Sequence, residues 1–222
     1  QEITFFIGVQ KFNKKNFESA ILFFNKSIKS SVNERILSAT KVWLADAFYQ
    51  IGDYENAKQI YDNQTAIYDS YLTNINLYNK GYNLFKLKDY HNSAKIFRKF
   101  ISSSSDSMFL NDALIRTADS YFMIKDFVLA EDYYDKSIKL NLFDVDYCQF
   151  QRAVCMGILG NNSEKTYLLN SLVSNYKNSI YYDDALFGIA EIKKNQNLYL
   201  DAISYYDSVI ANTLDDNLKA KS

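Results

Sequence analysis

The stretch Ala45-Asp46-Ala47-Phe48-Tyr49-Gln50-Ile51-Gly52-Asp53-Tyr54-Glu55-Asn56-Ala57-Lys58-Gln59-Ile60-Tyr61 decides the fold. A small residue, Ala45, is followed twelve positions later by Ala57 and four beyond that by Tyr61. Between them Gly52 tolerates left-handed geometry, and Asp53 can accept from the orphan N–H groups at the start of a second helix. Upstream, Ile36, Leu37, Val42, Trp43, Leu44, Ala47, Phe48 and Ile51 fit one broad helical stripe; Ala57, Ile60, Tyr61 and Ile67 form another. The stretch reads as two amphipathic helices joined by a tight turn.

The pattern recurs along the chain. Gly8, Ala45, Gly81, Ala118, Ala153 and Ala190 follow one another at spacings of 35 to 37 residues. Twelve positions after each stand Ala20, Ala57, Ser93, Ala130, Lys165 and Ala202, and four further on Phe24, Tyr61, Phe97, Tyr134, Leu169 and Tyr206. Asn16, Asp53, Asp89, Asp126 and Asn161 are placed to cap the second helices, and Asn197-Leu198-Tyr199 alters the sixth turn. A period in this range means a repeat array, in which each unit packs on its neighbours. Helix pairs are expected at 2–30, 34–70, 72–104, 107–142, 145–176 and 180–212, the fifth weakened by Asn162 and Lys165. The small residues of the two helices are expected to face each other where the helices cross, with the aromatics filling the space between pairs.

Composition fits this architecture. Among 222 residues there are 19 Tyr, 16 Phe and no Pro, and abundant Lys and Asn point to an AT-rich bacterial genome. A net charge of −1 without a dense basic cluster argues against nucleic acid and anionic membranes. The longest apolar run, Ile3 to Val9, is far short of the ~20 residues of a membrane span. The chain opens inside a repeat and stops near the start of another, so it reads as a segment of a longer protein.

Helix, Gly/Ala, turn, Asp/Asn-aromatic-x-x-Ala and a bulky residue four later resembles the tetratricopeptide repeat, with Ser27 and Ser137 at a second small position. The resemblance spans essentially the whole chain. It implies an all-α, right-handed superhelical solenoid of about six antiparallel helix pairs, with repeats near 1–33, 34–70, 71–105, 106–143, 144–178 and 179–214. The longer period and the missing proline depart from the family pattern of 34 residues. The run Asn175 to Leu186, with its Tyr-x-x-Ser-x-Tyr-x-x-x-Ala, is similar to repeats of bacterial periplasmic and outer-membrane assembly proteins.

The resemblance also implies a concave groove lined by the first helices. Its residues would be Phe5, Val9, Phe12, Val42, Asp46, Tyr49, Tyr78, Tyr82, Phe85, Asp112, Ile115, Asp119, Phe122, Tyr147, Phe150, Val154, Asp184, Phe187 and Glu191. Such an aromatic and acidic lining suits a peptide or helix with apolar anchors and some basic character. A core reading stands beside this for each aromatic. Members of the family that clamp a terminal carboxylate use Lys and Asn where this chain has aromatic or acidic residues, so that partner class is not expected.

No catalytic constellation is legible. His91 is the single histidine, Cys148 and Cys155 lie two turns apart on one helix, and no phosphate loop occurs. The expected role is a non-catalytic scaffold for a protein partner, without cofactor, nucleic acid or membrane insertion. Self-assembly, and a docking segment of an enzyme whose catalytic part lies elsewhere, stay open. The bacterial envelope is favoured over the cytoplasm.

Overall fold

The structure is a computed structural model that describes residues 2–30, 32–63, 69–213 and 216–222. The chain divides into two compact units, Gln1–Ser120 and Tyr121–Ser222. In the first, α1 (Glu2–Asn13) pairs with α2 (Phe17–Ser30), α3 (Glu34–Gln50) with α4 (Tyr54–Asp62), and α5 (Ser70–Lys86) with α6 (Tyr90–Ser103). The division falls inside α7 (Ser107–Met123). The second unit continues with α8 (Phe127–Leu140), then α9 (Val145–Ile158) with α10 (Asn162–Asn175) and α11 (Tyr182–Asn195) with α12 (Tyr199–Asn212). A short α13 (Asp216–Lys221) packs on α12. No strand occurs among the described residues.

Helix limits fall close to expectation, with two differences. The second helix of the second pair ends at Asp62, capped at Asn63, rather than reaching residue 70; Ile67 lies outside the described residues. The third pair starts at Ser70, where Asp69 accepts from the Leu72 backbone N–H at 2.9 Å.

All six turns within pairs share one backbone device. One residue in each is left-handed: Lys15, Gly52, Lys88, Lys125, Gly160 and Asn197, with φ between 57° and 81°. The next residue's N–H reaches back to a carbonyl five positions earlier, as Asp53 does to Phe48 at 2.9 Å and Asp89 to Leu84 at 2.9 Å. This double closure satisfies carbonyls that a helix end leaves orphaned. The same residue then caps the next helix. Asn16, Asp53, Asp89, Asp126 and Asn161 each accept from a backbone N–H three residues on, while Leu198 has no such bond.

The small residues face each other where the helices cross, the Ser93 hydroxyl donating to the Gly81 carbonyl at 2.9 Å, and a bulky residue fills the crossing as well. At Gly8 an added Cβ would lie 2.5 Å from the Phe24 ring, and at Gly81 2.8 Å from Phe97. The small residue therefore makes room for the bulky residue of its own second helix, instead of merely facing the small one. Ala45, Ala57 and Tyr61 form one such buried cluster. In the fifth pair, Gly157 gives space to the stem of Lys165, which stands where the other pairs carry Ala or Ser.

Candidate functional site

In the first unit α3 touches both α1 and α5, so the first helices of successive pairs lie side by side and present a shared face. Val42 and Ile115, expected in its lining, are 3% and 0% exposed and belong to the core. Phe5, Val9 and Phe12 are half-buried against a cluster containing Phe24 and Leu44. Tyr78 and Tyr82 rest on the cluster of Phe97, Phe100 and Ala113, each ring edge-on to Phe97 at 6.1 and 5.3 Å.

A polar network crosses this face. The hydroxyls of Tyr78 and Tyr82 both donate to Asp112 Oδ2, at 2.6 and 2.5 Å, tying α5 to α7. Arg116 Nε donates to Tyr82 Oη at 3.2 Å, and its Nη1 meets Asp119 Oδ2 at 2.7 Å. Burial first, then the Asp112 carboxylate, pushes the Tyr82 hydroxyl up to about 12 and Tyr78 further in the same direction. Both phenols stay protonated donors across the physiological range. Asp119, expected in the lining, is 7% exposed and held by this network. Arg116 is absent from the expected lining, although its spacing from Asp112 and Asp119, four and three residues, is the signal of same-face helical pairs.

Four further candidates have a turn-closing role. Phe12 meets Phe17, Tyr49 meets Tyr54, Phe85 meets Tyr90, and Phe122 meets Phe127, at 5.1 to 5.4 Å. Each contact clasps a first helix to the start of its second across the left-handed turn. Asp46 is half-buried, its carboxyl raised from 3.8 to about 6 by burial, opposed by a hydrogen bond with Gln50.

In the second unit Phe150 stacks on Tyr181 at 5.2 Å, and Tyr147 lies 5.6 Å from the same ring. Tyr181 precedes α11 and is not among the expected lining residues. Phe187 meets Tyr206 at 5.7 Å; Tyr206 donates to Glu191, which also pairs with Lys194 at 2.5 Å. Val154 is half-buried and Asp184 exposed. His91 is exposed, and Cys148 and Cys155 are buried free thiols, burial pushing Cys155 up to about 12. No helix among the described residues is long and apolar enough to cross a membrane.

Tetratricopeptide-repeat family models match residues 76–107 and 40–63, which take in α6 with the later part of α5 and α4 with the later part of α3. The chain carries tetratricopeptide repeats. Solved tetratricopeptide-repeat proteins share the fold. YrrB, described as having an unusual peptide-binding site, is similar at 17% identity and a TM-score of 0.69, over 89% of this chain and 96% of its own. A repeat protein from Parabacteroides merdae is similar at 15% identity and 0.66, over 99% and 84%. PilW, a type IV pilus biogenesis factor, is similar at 15% identity and 0.61, over 99% and 97%. No curated protein matches the chain by sequence.

Proposed function

We propose that the chain is a non-catalytic scaffold that binds a peptide or helical segment of a partner protein on the first-helix face of its repeats. The observation that carries this reading is the face of the first unit: half-buried aromatic rings of α3 and α5 beside carboxylates, those of α5 held in place by the Tyr78–Asp112–Tyr82–Arg116 network. Rigid aromatic rings with few rotatable bonds make good anchors, and a fixed polar network supplies orientation. The fold likeness to YrrB, a protein with a peptide-binding site, supports the same reading. The second unit carries aromatic and acidic first-helix residues of its own, Phe150, Phe187 and Glu191. An envelope setting is part of the proposal, supported by the Asn175–Leu186 run and the fold likeness to PilW.

Self-assembly is a second reading, favoured by the exposed apolar run at the sixth turn, where Tyr199 and Leu200 are 58% and 85% exposed. Photo-crosslinking in the native cells separates the two. A benzophenone side chain at Phe85 or Tyr49 is expected to capture another protein, while one at Val128, exposed on a second helix, is not. Capture at Val128 alone would reject the face, and crosslinks only between copies of the chain would establish self-assembly.

A further inference from the structure

A cavity of about 240 Å³ lies between α4 and α6, the second helices of the second and third pairs, with Lys80 and the buried Leu84 contributed by α5. Among the described residues four lysines line it: Lys58 on α4, Lys80 on α5, and Lys95 and Lys99 on α6. One carboxylate already sits among them. Asp62 meets Lys58 Nζ at 2.5 Å through Oδ2 and Lys80 Nζ at 2.7 Å through Oδ1. Partial burial pushes Asp62 up, but the hydrogen bonds from Lys58 and Lys80 outweigh it and hold the carboxyl below its ordinary 3.8. They do so at the last residue of α4, where the helix dipole disfavours negative charge. The cavity therefore holds a carboxylate of its own against two opposing effects.

The α6 side is not neutralised. The side chains of Lys95 and Lys99 have no acidic partner among the described residues, and like charges one turn apart on a helix repel. The second carboxylate of the lining, Asp89, is committed to the start of α6, accepting from the backbone and side-chain N–H groups of Asn92 at 2.9 to 3.4 Å. Two ammonium groups are thus matched inside the cavity and two face it unmatched, beside the apolar Leu84 and Ile96. A phosphate dianion is poorly served here, because Asp89 already caps the helix N-terminus and Asp62 would repel it. Separate monoanionic carboxylates fit better. Lys95 and Lys99 stand about 6 Å apart along α6, and side chains two residues apart on one side of an extended strand are about 7 Å apart.

We infer that this cavity is a second docking site, for an extended acidic segment of a protein partner with glutamates at alternate residues. One glutamate carboxylate meets Lys95 and the next meets Lys99, while their methylene stems lie against Leu84 and Ile96. Lys58 and Lys80 stay with Asp62, which bounds the site on the α4 side. The assignment rests on the scaffold reading but uses different helices. The aromatic and acidic first-helix face suits a segment with basic character, whereas the cavity between α4 and α6 selects the opposite charge.

The test is a titration of the isotopically labelled 222-residue chain with the peptide acetyl-Ala-Glu-Ala-Glu-Ala-amide, followed by backbone amide shifts, with the Gln-for-Glu peptide as neutral counterpart. Saturable shifts around Lys95, Lys99 and Asp62 are expected with the acidic peptide alone, weakening as salt is added. Lys95→Gln combined with Lys99→Gln should weaken binding by about fivefold or more, with the melting temperature held or raised because a repelling pair is gone. Lys14→Gln combined with Lys29→Gln removes the same charge outside the cavity and should bind like the parent. Asp62→Asn should tighten binding, since it releases Lys58 and Lys80. Equal shifts with the neutral peptide, undiminished binding to the Lys95/Lys99 variant, or an equal loss in the Lys14/Lys29 variant would overturn the site. So would inorganic phosphate matching the acidic peptide at the same concentration. Failure of the acidic peptide while Phe85 or Tyr49 still captures a partner removes this cavity alone. Binding of the peptide with no capture at either position removes the first-helix face instead.

Discussion

Lys15, Lys88 and Lys125 occupy a left-handed backbone position where two of the other turns have Gly52 and Gly160. A side chain with a Cβ is strained there by roughly 1–2 kcal/mol. Lys88→Gly is therefore expected to raise stability by about 0.5–1 kcal/mol, the relief being offset in part by the freer unfolded chain. Urea unfolding monitored by circular dichroism reads this; an unchanged or lower midpoint would mean that the lysine stem packs usefully. Sequence reveals only the glycine turns, because backbone bonds dictate the geometry at the other four. Asp46 makes a second prediction at this scale. Its folded pKa of about 6 lies above its ordinary 3.8, so its contribution is fully favourable below 3.8 and is lost as pH rises through 6. Asp46→Asn should then stabilise the chain at pH 7, on the order of 1–3 kcal/mol, and leave it nearly unchanged at pH 4. Melts of both proteins at the two pH values check the sign, and an equal difference at both would remove the burial argument.

Between helix pairs, packing works by matched sizes at one recurring contact. Where α2 meets α3, Ser27 and Thr40 oppose each other at 3.4 Å, and where α8 meets α9, Ser137 opposes Cys148 at 3.4 Å. Elsewhere the same register pairs a large residue with alanine: Phe100 with Ala113, and Leu172 with Ala185. Ala113→Leu would put two large side chains into one contact and is expected to lower stability by about 1–3 kcal/mol, read as a shift in the unfolding midpoint. A milder loss would show that α6 and α7 can separate to accept it. The repeat itself is legible because small residues, caps and bulky residues recur at fixed intervals. The groove lining is less so. Helical periodicity puts Phe12, Tyr49, Phe85 and Phe122 on a first-helix face, yet cannot reveal that each reaches across the turn to the aromatic behind the next cap. It likewise groups Val42 and Ile115 with the lining, since a residue's burial depends on how closely the neighbouring first helix approaches.

An array of helix pairs draws its stability from neighbouring contacts, so protection should follow local burial rather than one global value. In the first unit α1 buries only Gly8, with Ile3 and Phe6 74% and 59% exposed, whereas α3 buries six residues from Ser38 to Ala47. In the second, α11 buries five residues while the exposed Leu200, Ile203 and Ile210 lie on α12. Hydrogen exchange on the 222-residue chain should therefore show amides of α1 opening at lower free energy than those of α3, and those of α12 at lower free energy than those of α11. Raising the urea concentration should close the gap within each unit only near its own transition, because sub-global openings expose less surface than complete unfolding. Uniform exchange across α1 and α3 would instead mean that the first unit opens all at once. Its stability would then be one shared quantity, and a substitution such as Ala113→Leu would weaken protection as far away as α1.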